Sequence, residues 1–190
     1  MLESLLTEIR QCTVCEPHLP LGANPVIRAH PAAKILIIGQ APGTKVHQTS
    51  IPWNDASGER LRQWLGLDRE AFYCEENIAI MPMGLCYPGK GRSGDLPPRK
   101  ECAPLWHAKV LEQLPNRQLT LLIGQYAQHY YLSDKPSTLT ETVQQWQRWA
   151  PSVLPLPHPS PRNTLWLKNH PWFEQDIVPY LRQRVKQVLT

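Results

Sequence analysis

In the stretch ILIIGQAPGTKVH, residues 35–47, four aliphatic residues run into Gly39 and a short polar turn follows. A short aliphatic run that stops at a turn-forming residue is typical of a strand buried on both faces of a parallel sheet. The sequence predicts four such strands: KILIIG (34–39), NIAIMPMG (77–84), LTLLIG (119–124) and SVLPLPHPS (152–160).

Helical patterns lie between these strands. SGERLRQWLGL (57–67) offers Ser57 as an N-cap and carries its apolar residues on one face. Further helices are predicted over residues 1–11, 98–114, 140–150 and 176–189. Alternating strands and helices predict an α/β fold, a three-layer α/β/α sandwich around a central, mainly parallel four-stranded sheet.

Composition and charge describe a globular chain of ordinary size. The 190 residues include 20 prolines and 10 glycines, and the net charge of +4 is compatible with a polyanionic partner without requiring one. No apolar run approaches the roughly 20 residues that span a bilayer, and the charged N-terminal segment differs from a secretion signal. We therefore expect one domain over residues 1–190, a cytoplasmic monomer without membrane contact.

Three distinctive loops begin where predicted strands end, and they are GQAPG (39–43), IGQYA (123–127) and HPSPRN (158–163). Ligands bind beyond the carboxyl ends of parallel strands, so these loops are expected to share a site. GQAPG lacks the residues of a phosphate-binding loop. It is either a simple turn or a set of backbone N–H donors for a flat heterocycle or an anion. His158, fixed between two prolines, is either a catalytic imidazole in a loop that grips a backbone or part of a surface turn.

The five cysteines are an odd number, which argues against a disulfide framework. Cys12 and Cys15 form a C-x2-C pair, and Cys86 and Cys102 follow with 15 residues between them. Four such thiolates can hold a 4Fe–4S cluster or a tetrahedral zinc ion. Alternatively the thiols never meet and pack as small apolar groups, as is expected of the remaining Cys74.

The ordered set of motifs resembles the uracil-DNA glycosylase superfamily. GQAPG (39–43) is similar to its first motif and HPSP (158–161) to its second. The strongest likeness is to the iron–sulfur uracil-DNA glycosylases, in which the first motif usually reads Gly-Glu-Ala-Pro-Gly. Pro52-Trp53 and Ser57-Gly58 stand where those enzymes have a Pro-Phe pair and a helix-starting glycine. The resemblance covers residues 12–163 at least.

The resemblance implies a site that releases a damaged base flipped out of DNA. His158 would hydrogen-bond the developing oxyanion of the base, and the turn around Gly39, Gln40 and Ala41 would add donors. Trp53 would stack on the base, although it is equally a candidate core aromatic. Asp55 would either activate water or only cap a helix. The resemblance also implies a DNA-gripping loop of Ser160, Pro161, Arg162 and Asn163, and a 4Fe–4S cluster on Cys12, Cys15, Cys86 and Cys102.

The sequence departs from the family pattern at the site. Gln40 replaces the glutamate of the iron–sulfur enzymes and cannot act as a base. Val46 and His47 replace an acidic pair, so His47 either orients the water instead or is an ordinary loop histidine. Pro82 stands where the family has its uracil-reading asparagine, and Asn77 is the nearest substitute. In the segment 87–100, four basic residues either follow a phosphate backbone or belong to a solvated loop: Lys90, Arg92, Arg99 and Lys100.

These observations predict a monofunctional DNA N-glycosylase that acts on uracil or another deaminated base, since no lysine stands out as a Schiff-base nucleophile. The first alternative is a DNA-binding member of the superfamily that has lost hydrolysis. A third interpretation, a small-molecule α/β enzyme, leaves the HPSPRN loop and the basic segment unexplained.

Overall fold

A computed structural model describes all 190 residues. The α-helices are α1 (Leu2–Arg10), α2 (Thr44–Thr49), α3 (Ala56–Leu65), α4 (Arg69–Phe72), α5 (Cys102–Glu112), α6 (Gln125–Tyr131), α7 (Leu139–Gln144), α8 (Thr164–Asn169) and α9 (Val178–Leu189). The strands are β1 (Ile35–Ile38), β2 (Ile78–Ile80), β3 (Lys90–Gly91), β4 (Gly94–Asp95), β5 (Leu119–Ile123) and β6 (Val153–Leu156). Short 3₁₀ helices cover Glu16–His18, Trp146–Arg148 and Pro161–Asn163, and a π-helical turn covers Phe173–Ile177.

The central sheet has four parallel strands in the order β2-β1-β5-β6. Ile37 of β1 lies opposite Ile80 of β2 on one side and Leu121 of β5 on the other. Because the strands are parallel and in register, all four carboxyl ends meet at one edge of the sheet. This confirms the predicted α/β fold and the predicted number and direction of the strands.

The two faces of the sheet bury two separate hydrophobic clusters. Ile35 and Ile37 pack on one face with α3, α7 and α9, whereas Leu36 and Ile38 pack on the other with α1, α5 and α6. Successive side chains of a strand point to opposite faces, so a continuous aliphatic run serves both clusters. The burial of both faces produces the three layers.

Several element boundaries differ from the prediction. Asp55, and not Ser57, is the N-cap of α3, because its Oδ1 accepts a hydrogen bond from the Gly58 N–H at 2.9 Å. The predicted strand 152–160 ends at Leu156, since the prolines that follow cannot donate to the sheet. The predicted helix 98–114 begins only at Cys102.

A small antiparallel hairpin formed by β3 and β4 was not predicted, because this part of the chain carries no run of β-branched or aromatic residues. Lys90 pairs with Asp95 and Gly91 with Gly94. Gly94 has a φ of +128°, a conformation that suits glycine at such a tight reversal. The hairpin lies in the connection between β2 and α5 and reaches the carboxyl edge of the central sheet. No helix of the structure has the length and apolar character needed to cross a membrane.

Candidate functional site

A cleft of about 350 Å³ opens at the carboxyl edge of the sheet. Its walls come from the turn after β1, the segment before α3, the β3–β4 hairpin and the loop after β6. The predicted site residues that line it are Gly39, Gln40, Ala41, Trp53, Asp55, His158, Ser160, Arg162 and Asn163. The turn containing Pro42 and the imidazole of His158 therefore face one space, as the sequence predicted.

The imidazole of His158 is held in one tautomer. Its Nδ1 accepts a hydrogen bond from the Ser160 N–H at 3.1 Å, which leaves the proton of the neutral ring on Nε2. Burial lowers the pKa of His158 to about 4, with the charge of Asp55 acting in the opposite direction. At neutral pH the cleft therefore presents an uncharged imidazole.

Side chains behind the cleft fix the loop that carries His158. The Asn163 amide donates to the His158 carbonyl at 2.8 Å, so Asn163 braces the loop instead of projecting from it. The fully buried amide of Gln128 donates to the carbonyls of Leu122 and Leu156, at 3.0 and 2.8 Å, and ties β5 to β6. Sequence reasoning missed Gln128, although its GQYAQ context directly follows a predicted strand.

Trp53 lies against the turn after β1 and requires two glycines. A Cβ at Gly39 would come within 2.8 Å of the indole Cζ2, and one at Gly58 would lie 1.7 Å from the Trp53 carbonyl oxygen. Trp53 itself has a φ of +60°, an unusual and strained value for a bulky residue. Its ring centroid is 5.6 Å from that of His158. Trp53 both lines the cleft and packs on the core, so the two interpretations of it are compatible.

The turn after β1 offers free hydrogen-bonding groups. The carbonyls of Gly39 and Gln40 accept from the N–H groups of Met83 and Gly84, at 2.8 and 3.0 Å. The N–H groups of Gln40 and Ala41 donate to no other part of the chain, and neither does the Gln40 side chain. This arrangement leaves several polar groups of the turn available to a ligand in the cleft.

The two carboxylate oxygens of Asp55 have different surroundings. One carboxylate oxygen caps α3, as described above, whereas no protein group donates to the other. Asp55 lines the cleft and lies close enough to His158 to influence its pKa. Capping and chemistry are therefore not alternatives for this residue.

Asn77 and His47, predicted for the base pocket and for catalysis, lie outside the cleft. Asn77 precedes β2, and its carbonyl accepts from the N–H groups of Lys34 and Ile35, both at 3.0 Å. That is the amino end of the strands, so Asn77 cannot contact a base at the carboxyl edge. His47 lies on α2 with its ring 6.2 Å from that of Tyr87, and it does not line the cleft. Pro82, at the position of the family's uracil-reading asparagine, lines the cleft but has no polar side-chain group.

The predicted DNA-gripping loop is attached to the hairpin. Arg162 Nη1 donates to the Ser93 carbonyl, which bridges the loop after β6 and the β3–β4 turn. Pro161 is exposed beside it and does not line the cleft. Of the basic segment, Lys90, Arg92 and Lys100 are exposed. Arg99 is not a free cation, because it pairs with Glu101 at 2.7 Å.

Sequence reasoning also missed Asp95 and His107. Asp95 of β4 lines the cleft, and the hairpin that carries it was not predicted. His107 of α5 is 1% exposed; its Nε2 donates to the Pro82 carbonyl at 3.0 Å and its Nδ1 accepts from the Tyr131 hydroxyl at 2.6 Å. The wall formed by Pro82 is therefore supported from behind. A buried position on an amphipathic helix was the only available signal for His107.

The four predicted metal-ligating cysteines gather around one small apolar pocket that is separate from the cleft. Cys12, Cys15, Cys86 and Cys102 line it together with Leu19, Ala23, Pro25, Leu85 and Trp106. All four of these cysteines are free thiols, and Cys74 does not line the pocket. Burial raises the pKa of Cys86 to about 11 and that of Cys102 to about 12. Four soft thiol donors around one apolar pocket suit a thiophilic metal group. In the present side-chain positions, no group of three or more His, Cys, Asp or Glu residues is arranged to hold a metal ion.

Comparison with known proteins agrees with this geometry. The family model of the "Uracil DNA glycosylase superfamily" matches residues 28–182, which include the whole central sheet and every residue that lines the cleft except Val26. The chain is also 22% identical over 162 residues to the Type-4 uracil-DNA glycosylase of Thermotoga maritima, covering 84% of this chain and 82% of that protein. The matched region holds the turn after β1 and the loop after β6 at the same end of the sheet. We conclude that the chain belongs to the uracil DNA glycosylase superfamily.

Proposed function

We propose that the protein is a monofunctional DNA N-glycosylase that hydrolyses the N-glycosidic bond of a deaminated base flipped out of DNA. The observation that carries this proposal is the convergence of the His158 imidazole and the unbonded N–H groups of Gln40 and Ala41 on one cleft. The likeness to a uracil-DNA glycosylase makes uracil the first base to test.

The cleft suits stabilisation of a departing base. Cleavage of an N-glycosidic bond leaves negative charge on the base and positive charge on the sugar. Neutral His158 donates from Nε2 to a base oxygen, and the two backbone N–H groups add fixed dipoles, so the developing anion meets donors that need no reorganisation. Trp53 supplies an aromatic face for the extruded ring.

Asp55 is the group best placed to handle the water. Its second oxygen is free, and its negative charge also favours the sugar cation that forms. Gln40, with its side chain free, assists only by hydrogen bonding. No lysine lines the cleft, so the proposed reaction is direct hydrolysis without a covalent amine intermediate.

The loop after β6 supplies the grip on DNA. Ser160 Oγ accepts from the Arg162 N–H at 3.2 Å and caps the 3₁₀ turn that presents Pro161 and Arg162 at the cleft mouth, beside Asn163. Arg162 keeps further guanidinium N–H groups besides the one that contacts Ser93, and these would contact a phosphate. The exposed Lys90, Arg92 and Lys100 extend this positive surface along the nucleic-acid backbone.

The same proposal assigns a 4Fe–4S cluster to the cysteine pocket. Cys12 and Cys15 follow α1, Cys86 follows β2 and Cys102 begins α5, so a shared cluster would tie the N-terminal segment to the core. When bound, the group would supply cross-linking stability, because its ligands come from separate segments of the chain. Anaerobically purified protein is expected to be brown, with about four iron and four sulfide per chain. Cys102→Ala should lose the colour and the matched Cys74→Ala should keep it, whereas bound zinc without iron would contradict the assignment.

Base release from oligonucleotides tests the activity. Single- and double-stranded oligonucleotides carrying uracil, hypoxanthine or xanthine are incubated with the metal-intact protein, and abasic sites are measured by alkaline cleavage. We expect release of at least one of these bases and strand cleavage only after alkali. Failure to release any of them would contradict the glycosylase proposal.

A second candidate function is supported by two residues. Gln40 stands where the iron–sulfur enzymes have a glutamate, and Pro82 stands where the family has the asparagine that reads the base. Together these two replacements favour a DNA-binding protein without hydrolysis. Salt-dependent DNA binding without base release would select this candidate. In contrast, measurable turnover that falls at least about 10-fold in Asp55→Asn would establish hydrolysis and the use of this carboxylate.

A further inference from the structure

Asp95 is fixed in the cleft by the geometry of the hairpin. Its backbone pairs with Lys90, and the next residue, Leu96, donates its N–H to the Gly89 carbonyl at 2.8 Å. The carboxylate approaches the turn after β1 closely, since its Oδ2 would lie 3.6 Å from a Cβ built on Gly43. The bond from Arg162 to Ser93 holds the hairpin in this place.

The carboxylate of Asp95 is also uncommitted. It takes part in no hydrogen bond or ion pair, whereas Asn163, Ser160 and Asp55 each use a polar atom to hold the protein together. Pro82 has no side-chain polar group. Asp95 is therefore an acceptor-only group that faces the cleft with all its lone pairs free.

The charged groups near Asp95 suit a carboxylate that binds a ligand. Partial loss of water raises the pKa of Asp95, and the nearby Arg162 and Lys90 act in the opposite direction. Asp95 is an exposed residue at the rim of the cleft, and its carboxylate can form a charge-assisted hydrogen bond with a ligand N–H.

Deamination creates the group that such an acceptor detects. Cytosine and adenine carry an unprotonated ring nitrogen on the pairing edge, and their lone pair would face the carboxylate. Uracil and hypoxanthine carry a ring N–H at that position and would donate to it. We propose that Asp95 is a specificity-determining residue that accepts this ring N–H and so distinguishes deaminated bases from their parent bases. This inference rests on the proposed function, because it assumes that the flipped base occupies the cleft.

Thymine and guanine also carry a ring N–H on this edge. Asp95 therefore separates each deaminated base from its parent base alone, and other contacts of the cleft exclude the remaining natural bases. The appropriate comparisons are consequently uracil with cytosine and hypoxanthine with adenine.

Binding without turnover tests the inference. Single-stranded oligonucleotides with one 2′-fluorinated deoxyuridine or deoxycytidine resist hydrolysis, and their Kd values are measured at fixed salt. Wild type should bind the uracil probe more tightly, and Asp95→Ala should lose about 10- to 100-fold of that preference. Asp95→Asn should reduce the preference for uracil over cytosine, since an amide can also donate to the ring nitrogen of cytosine. Asp176→Asn, an exposed carboxylate outside the cleft, should leave the preference unchanged.

The outcomes separate this inference from the proposed function. Equal preference in wild type and Asp95→Ala, or tighter binding of cytosine than uracil by wild type, would overturn the role of Asp95 even if bases are released. Conversely, a preference that disappears in Asp95→Ala would support it even if no variant hydrolyses DNA. Where turnover is measurable, the ratio of kcat/KM for uracil over cytosine should follow the same order.

Discussion

The molecule contains two histidines with the same lowered pKa and opposite surroundings. Burial lowers the pKa of both His158 and His107 to about 4. Both ring nitrogens of His107 bond to protein groups, the Pro82 carbonyl and the Tyr131 hydroxyl. Only Nδ1 of His158 is bonded, and its Nε2–H is left for a ligand.

A perturbed pKa does not by itself mark a catalytic group. Desolvation acts on any buried imidazole, whether it belongs to the core or to a cleft. The distinguishing feature is an unfilled hydrogen-bonding position that faces a cavity. We therefore propose His158 for the chemistry, whereas His107 supports the wall at Pro82.

Removal of His158 should give the largest effect. His158→Ala is expected to lower kcat for base release by about 10²- to 10³-fold, because a donor to the departing base is lost. The free energy of unfolding should change little, and the Kd for abasic DNA should stay within a few-fold. Single-turnover kinetics and urea denaturation measure the two quantities. A proportional loss of stability would assign His158 to the core as well.

Removal of His107 should give the reverse pattern. His107→Ala leaves the buried Pro82 carbonyl without a donor, and we expect the free energy of unfolding to fall by about 2–3 kcal/mol. His107→Gln should retain part of this stability, since an amide can donate to Pro82 and accept from Tyr131. A loss of turnover as large as that of His158→Ala, in a variant of unchanged stability, would contradict the assignment.

The acid dependence of stability should identify His107 as a neutral buried group. Between pH 6.5 and about 4 the unfolded chain binds a proton on this side chain and the folded chain does not, so its contribution is complete above pH 6.5 and decreases as the pH falls. The deficit of His107→Gln relative to wild type should therefore shrink by up to about 1.4 kcal/mol per pH unit. Urea denaturation at pH 7, 6 and 5 measures it, and a deficit independent of pH would contradict the neutral form.

The sequence predicted those features of the site that depend on a local pattern of residues. The turn at residues 39–43 and the loop containing His158 both follow aliphatic runs, and the parallel arrangement then brings them together. His107 and Asp95 were missed because no local pattern in the sequence marks either residue. A buried polar residue on a helix looks like any amphipathic position, and Asp95 faces the cleft only because a Gly-containing hairpin folds over it. Asn77 could have been rejected from the sequence, since it is the first residue of the predicted strand 77–84 and therefore lies at the amino end of that strand, away from the carboxyl edge.

Replacement of Asp55 should have the smallest effect on stability and should change the pKa of only one of the two histidines. Asn caps a helix about as well as Asp, so Asp55→Asn should change the free energy of unfolding by less than about 0.5 kcal/mol. The charge of Asp55 raises the pKa of His158 against the effect of burial, and its removal should lower that pKa further, by less than about one unit. The pKa of His107 should stay the same, because Asp55 has no part in its shift. NMR titration of the imidazole C–H signals measures both residues in one sample. An equal shift of the two would mean that the substitution acts through the whole fold and not through the cleft.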